Sequence, residues 1–294
     1  MVTPSRIPEM TMSPGEAGPF GESDGVGLLV VGHGTADPVG AQETRAMAQA
    51  VAGLLPGRQV ELGFLEVIGP TIDDAVQALA DRGCRRVVVA PLLLFTAGHA
   101  VRDVPEAVLA AVDRRGMTAV QSAALGCHPA VVELARARRR ESLAGLVAIP
   151  MNDTVLVMVG RGSSVPDAVD QFREFAEATL ADGGMAGARL EIGFVAAARP
   201  TLAESLEAAA AGHPRRVVVQ PHILFQGHVE DQVTAAVLRC RIAYPEIEWI
   251  QVSRLGADRQ VGRAIVDRAI DATAGTGRHG ALFSAAKNLS PEAG

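Results

Sequence analysis

The sequence predicts a duplicated α/β protein: two successive flavodoxin-like domains, each a four-stranded parallel sheet flanked by helices. Short Val/Leu-rich runs closed by glycine alternate with longer segments of helical periodicity, the pattern of buried parallel strands joined by crossover helices. The same ordered set of landmarks then occurs a second time. Glu61-Leu-Gly-Phe-Leu returns as Glu191-Ile-Gly-Phe-Val, Pro70-Thr-Ile as Pro200-Thr-Leu, Arg85-Arg-Val-Val-Val as Arg215-Arg-Val-Val-Val, and Leu125-Gly as Leu255-Gly.

In chain order, Leu28-Leu-Val-Val-Gly-His-Gly-Thr35 reads as a buried strand that delivers a histidine between two glycines into a strand-end loop. Residues 39–55 carry apolar positions at helical spacing, and residues 59–66 alternate as a strand does. Pro70 is expected to open a helix running to Gly83, because its fixed backbone angle suits a first helical turn. Residues 86–95 form the most apolar strand and lead into Thr96-Ala-Gly-His99. A helix from Val104, a strand over residues 119–125 and a helix from Pro129 complete a β-α unit series with right-handed crossovers. The second series begins at Val155-Leu-Val-Met-Val-Gly-Arg-Gly-Ser163. Pro150 and Asn152-Asp153 break the pattern between the halves, which sets the expected domains at 25–148 and 149–274. Residues 1–24 and 275–294 lack periodicity and are expected to be disordered tails, which removes His279 from consideration.

Composition narrows the function. Hydrophobic residues make up 48% of the 294-residue chain and charged residues 20%, enough for two ordinary cores. A formal charge of −6, with one Trp and one Tyr, supplies neither general attraction nor stacking platforms for nucleic acid. Cys84, Cys127 and Cys240 are widely separated and form no Cys-x-x-Cys, so neither a disulfide framework nor a thiolate zinc site is indicated. No segment has the length and apolarity of a membrane span or secretory signal, and a reducing cytoplasm is expected. The duplication supplies an internal pseudo-dimer, so a monomer is expected.

A duplicated chain offers an internal comparison. Residues needed for folding persist in both halves, whereas residues needed by one site need not. The glycines and the Pro-Thr helix starts persist, but His33 becomes Arg161 and Glu66 becomes Ala196, while His99 survives as His228. In flavodoxin-like order the first strand lies between the second and third, with neighbours about 4.8 Å apart, so His33, Glu66 and His99 are expected to emerge side by side. Two imidazoles and a carboxylate can hold a divalent transition ion, and the imidazoles can also take protons near neutrality. The expected site is therefore complete in the first half and dismantled in the second. His128 and His213 read as helix-boundary residues, and His222, in the place of Leu92, as a polar residue satisfied near the second sheet's edge. Arg102 is left open between a solvated charge and an anion contact.

The combination of Leu29-Val-Val-Gly-His-Gly-Thr35, Gly63-Phe-Leu-Glu66 with Pro70-Thr, and Val88-Val-Ala-Pro-Leu-Leu-Leu-Phe-Thr-Ala-Gly-His99 resembles the sirohydrochlorin chelatases, the class II tetrapyrrole chelatases, in their long, duplicated form. The resemblance covers nearly all of the chain between the tails. It implies insertion of Fe²⁺, with Co²⁺ as the alternative, into sirohydrochlorin without ATP. The metal would be a substrate and no cofactor would be permanently bound. His33 and His99 would be the catalytic pair and, with Glu66, the metal ligands; a metal carrier would use the same trio. Gly34, Thr35 and Arg102 would contact the substrate, with Arg161 or Arg199 adding contacts to its carboxylates from the second half. Thr35 stands where that family commonly has serine.

Overall fold

The computed structural model describes residues 25–95, 102–181, 184–274 and 281–283. The first half runs β1 (Val26–Gly32), α1 (Pro38–Leu54), β2 (Gln59–Phe64), α2 (Ile72–Asp81), β3 (Arg86–Pro91), α3 (Asp103–Asp113), β4 (Thr118–Gln121) and α4 (Pro129–Leu143). A 3₁₀ turn over Met151–Asp153 leads into the second half. This runs β5 (Thr154–Gly160), α5 (Pro166–Ala181), β6 (Arg189–Phe194), α6 (Leu202–Ala210), β7 (Arg216–Pro221), α7 (His228–Ala243), β8 (Glu248–Gln251) and α8 (Arg259–Ala274). The sheets have the orders β2-β1-β3-β4 and β6-β5-β7-β8, with matching parallel registers. The first sheet gains a strand from the C-terminal stretch expected to be a tail: β9 (Ala281–Phe283) pairs antiparallel with β4.

Several local expectations shift by a few residues. The strand expected to reach Phe95 ends at Pro91, which forms the last registered pair with Val31. The helix expected to begin at Pro70 begins at Ile72, capped by Thr71, whose hydroxyl accepts from the Asp74 amide while the Asp74 carboxylate accepts from the Thr71 amide. This reciprocal pair satisfies two of the helix's orphan N–H groups, so the side-chain cap rather than the proline sets the start. Thr201 and Glu204 repeat the device at α6.

The halves are joined more deeply than a simple tandem. The last helix of each half packs on the other half. On α8, Val261, Ala264 and Ile265 share one buried cluster with Met47 and Val51 of α1 and Val88 of β3. A Cβ on Gly262 would stand 3.3 Å from Leu54. Reciprocally, Val131, Leu134 and Ala135 of α4 pack with Phe172 and Phe175 of α5. The exchange is pseudo-symmetric in its hydrogen bonds. Arg138 of α4 donates to the Leu255 carbonyl at 3.2 Å, and Arg268 of α8 donates to the Leu125 carbonyl at 3.1 Å.

Arg139 is the most buried of these links, at 1% exposure. Its guanidinium donates to Gln220 Oε1 at 3.0 Å and to the Thr179 carbonyl at 2.7 Å, while Arg136 donates to the Ala178 carbonyl at 2.5 Å. Both carbonyls belong to the last turn of α5, where C=O groups lack intrahelical donors and the helix dipole is negative. Burial pushes the Arg139 pKa down to about 10, which leaves it charged at neutral pH. Among the described residues, no helix is long and apolar enough to cross a membrane.

Candidate active site

The carboxyl ends of the two sheets open onto one cleft of about 1720 Å³ between the halves. Loops following β1, β3 and β4 line it from one side and loops following β5, β6 and β7 from the other. Strand ends are where open α/β sheets gather ligand-binding groups, and here two such edges face each other.

His33 lines the cleft and meets Glu66, which is not itself among the lining residues. The imidazole Nε2 lies 3.0 Å from Glu66 Oε1, and both side chains are solvent-accessible. The sheet is extended past its strands to bring them together: Leu65 N–H donates to the Gly32 carbonyl and Glu66 N–H to the His33 carbonyl. Gly34 makes this possible. Its φ is +102°, and a Cβ there would overlap the Glu66 carbonyl oxygen and stand 3.0 Å from its carbon. The second half keeps that backbone device without the chemistry. Gly162 has φ +90° and lies equally close to the Ala196 carbonyl, but Arg161 and Ala196 occupy the places of His33 and Glu66.

Gly34, Thr35 and Arg102 all line the cleft. The Thr35 hydroxyl accepts from the Asp37 amide at 3.1 Å, and Asp37 caps α1, so Thr35 ties the histidine loop to the helix start. His99 lies outside the described residues. Among the described residues no group of three or more His, Cys, Asp and Glu is placed to hold a metal ion, so the structure brings together two of the expected trio.

From the second half, Arg161, Arg268 and His228 face the cleft. His228 Nε2 contacts the Gln232 amide rather than a carboxylate. Arg199 is turned away: it pairs with Glu204 at the start of α6 and is not among the cleft residues. Arg268 had no signal in the sequence, because only the exchange of terminal helices carries it to this wall. Its counterpart Arg138 is held by Asp258 at 2.9 Å, whereas the Asp271 carboxylate stands 3.9 Å from Arg268.

The other histidines divide. His128 caps α4, with Nδ1 accepting from the Ala130 amide, and His213 sits on the surface 3.3 Å from Glu246, both consistent with helix-boundary roles. His222 differs from expectation. It is 4% exposed, and its Nε2 has no hydrogen-bond partner among the described residues. Instead the ring stacks on Phe175, with centroids 3.8 Å apart, and packs near Phe172 and near Phe95 from the other half. Its place on the strand end predicted a polar neighbour, but the neighbours there are aromatic. All three cysteines are free thiols, and Cys127 lies in the cleft wall.

Two facing α/β lobes, one carrying a paired imidazole and carboxylate and the other a pseudo-equivalent arginine, define a duplicated protein whose halves differ at their strand ends. The sequence profile of the CbiX family matches residues 27–142 and again 155–272. The chain belongs to the CbiX family. It is 30% identical over 207 residues to a sirohydrochlorin ferrochelatase of Priestia megaterium, covering 70% of this chain and 76% of the relative. It is 25% identical over 243 residues to a sirohydrochlorin cobaltochelatase of the same organism, covering 82% and 78%. Among solved structures, SirB from Bacillus subtilis with Fe³⁺ superposes with a TM-score of 0.74 at 24% identity, over 84% of this chain and 95% of that one, a likeness of fold.

Proposed function

We propose that this chain is a sirohydrochlorin chelatase that inserts a divalent metal into the macrocycle without ATP, with Fe²⁺ favoured and Co²⁺ the alternative. The observation that carries the reading is the His33–Glu66 contact of 3.0 Å at the cleft edge, present in one half only. Metallation exchanges two pyrrolic protons for one cation. A neutral imidazole can ligate the ion or accept a proton, and a carboxylate beside it offsets the positive charge either role creates. In this reading His33 and Glu66 receive the metal as it sheds its carrier ligands, and His99 completes the set from the sequence that follows β3. Arg102, Arg161 and Arg268 hold substrate carboxylates by charge-assisted hydrogen bonds. Arg161 has no lone pair to offer a cation at neutral pH, so the second half serves as the substrate clamp.

Imidazole and carboxylate ligands suit Fe²⁺ and Co²⁺ alike, so the site chemistry alone does not select the metal. The two facing lobes supplied by one chain support a monomer. The test is anaerobic incubation of the purified protein with sirohydrochlorin and either metal, followed by tetrapyrrole absorbance. Repeated turnovers above the uncatalysed rate are expected. A single equivalent delivered per protein would identify a metal carrier, and no acceleration would refute the chelatase reading.

A further inference from the structure

The pseudo-symmetry breaks at one more place, behind the cleft wall. Glu43 of α1 and Arg254, just past β8, meet across the two halves. The Arg254 guanidinium donates to Glu43 Oε1 from Nη2 at 2.5 Å and from Nε at 3.1 Å, and its Nη1 donates to Glu230 of α7 at 2.8 Å. The Gln226 amide donates to the other Glu43 oxygen at 2.8 Å. Forked, charge-assisted contacts of this kind fix geometry as well as adding energy. The helix backbone meets the same loop beside them, where a Cβ on Gly40 would overlap the Gln226 carbonyl oxygen. In the repeat, Gly40, Glu43 and Arg254 correspond to Ala168, Gln171 and Ala124, so the opposite junction is built without this ion pair. The scaffold does not require it twice.

The junction joins the two walls of the cleft. On one side α1 follows directly from the histidine loop, through Thr35 and the Asp37 cap. On the other, Gln226-Gly-His228 forms part of the second half's wall, whereas neither Glu43 nor Arg254 lines the cleft. We infer that Glu43 and Arg254 are positioning residues, a latch that holds the His33 loop at a fixed distance from the wall that clamps the macrocycle. The inference rests on the chelatase reading and deepens it. On that reading the metal passes from His33 to a macrocycle held by Arg161 and Arg268, so the spacing of the lobes is the transfer distance. A misplacement of about 1 Å can cost about a hundredfold in rate. Loss of the latch therefore slows transfer more than it weakens binding, because both arginines stay together on the opposing wall.

The test uses Glu43→Gln and Arg254→Ala, each of which installs the residue found at the opposite junction, and the double variant that reproduces that junction. Arg115→Ala, which breaks a 2.6 Å ion pair with Asp73 inside the first half, is the control for stability alone. Steady-state metal insertion into sirohydrochlorin is measured with thermal denaturation, at a temperature where each variant is folded. Arg254→Ala should lower kcat at least about fivefold while KM stays within about twofold, the pattern of an interaction felt only in the reacting complex. The double variant should lose no more than Arg254→Ala, since the two side chains act as a unit. Arg115→Ala should lower the melting temperature and keep the wild-type kcat. Unchanged kcat in folded Arg254→Ala, a loss confined to KM, losses that multiply in the double variant, or an equal kcat loss in Arg115→Ala overturns the inference and leaves the chelatase reading intact. If Arg254→Ala does not fold, Glu43→Gln decides: a lowered kcat sustains the latch and a wild-type kcat overturns it. Failure of the unsubstituted protein to metallate sirohydrochlorin overturns both.

Discussion

Replacing Gly34 by alanine would test how the strand-end backbone builds the site, and Gly162→Ala supplies its control within the same molecule. Each glycine has positive φ, +102° and +90°, and at each an added Cβ would overlap the following strand-end carbonyl, Glu66 or Ala196, and lie 3.0 Å from its carbon. Holding a non-glycine residue in a disfavoured backbone region costs about 1–3 kcal/mol, and overpacking a close contact costs about as much again. Each substitution should therefore destabilise by about 4 kcal/mol. At roughly 2–4 °C per kcal/mol for a protein of this size class, the melting temperature should fall by about 8–16 °C in both variants. Their catalytic effects should diverge. At Gly34 the strain displaces the backbone that fixes both His33 and Glu66, so metal insertion should drop at least about tenfold at a temperature where the protein remains folded, since a misplacement of about 1 Å can cost a hundredfold. At Gly162 the displaced residues are Arg161 and Ala196, and turnover at saturating substrate should change less than about threefold. Thermal denaturation by circular dichroism and steady-state insertion assays give the two quantities. Wild-type turnover in folded Gly34→Ala, or equal catalytic loss in both variants, would refute the assignment of the site to the first half.

Other expectations follow from the same geometry. His33→Ala should abolish most metal insertion without unfolding the protein. His228→Ala, which removes a histidine facing Gln232 rather than a carboxylate, should leave the rate nearly unchanged; parallel steady-state assays decide. Arg161→Ala should raise KM for sirohydrochlorin more than it lowers kcat, and a pure kcat effect would speak against a clamp. Arg139→Ala should cost about 3–5 kcal/mol, because it opens a cavity and strands Gln220 Oε1 and the Thr179 carbonyl. Denaturant titration should show both halves still unfolding together, since α4 and α8 each cross between them. His222 also predicts an acid-stability difference. Its folded pKa, about 3, lies below the 6.5 of a free imidazole, so the unfolded chain binds a proton that the native state refuses as pH falls through this window. Wild type should lose up to about 1.4 kcal/mol per pH unit relative to His222→Leu between those values, and parallel melting curves in both proteins down to mildly acidic pH would reveal a constant gap if that histidine is not buried neutral.

Much of this architecture was legible in the sequence because its signals are local. Period-two and period-3.6 patterning locates strands and helices, and the repeated landmarks give the strand order twice over. The adjacency of His33 and Glu66 followed from that order alone, since β1 and β2 are neighbours in a flavodoxin-like sheet. The exchange of α4 and α8 was not legible. Periodicity says that Val131, Leu134 and Ala135 are buried, but not against which sheet, and either half offers an apolar face of the right size. Pro70 misled for a related reason: a proline near a helix start suits the first turn, yet Thr71 and Asp74 form a stronger cap that starts the helix two residues on, at Ile72. His222 showed a usable signal, a polar residue where the repeat partner is leucine. Its meaning depended on three phenylalanines brought together from both halves, which no local pattern reveals.

The differences between the halves are concentrated in chemistry rather than in scaffold. The positive-φ glycines, the threonine caps and the pair Arg138–Leu255 and Arg268–Leu125 are kept on both sides. What differs is what those devices carry: an imidazole on the cleft wall paired with a carboxylate behind it on one side, arginines and a buried imidazole on the other. A symmetric arrangement with His33 and Glu66 in both halves would place two metal-attracting edges against one another. A cation bound at either would then be held from both sides of a macrocycle, and release into the ring would oppose both sets of ligands. Replacing one edge with Arg161 removes the competing ligand and adds a fixed positive charge that favours a polycarboxylate while repelling a second cation. On the proposed reading, the asymmetry would give the metal a single approach, from the His33 side, while the opposing wall would hold the acceptor in place.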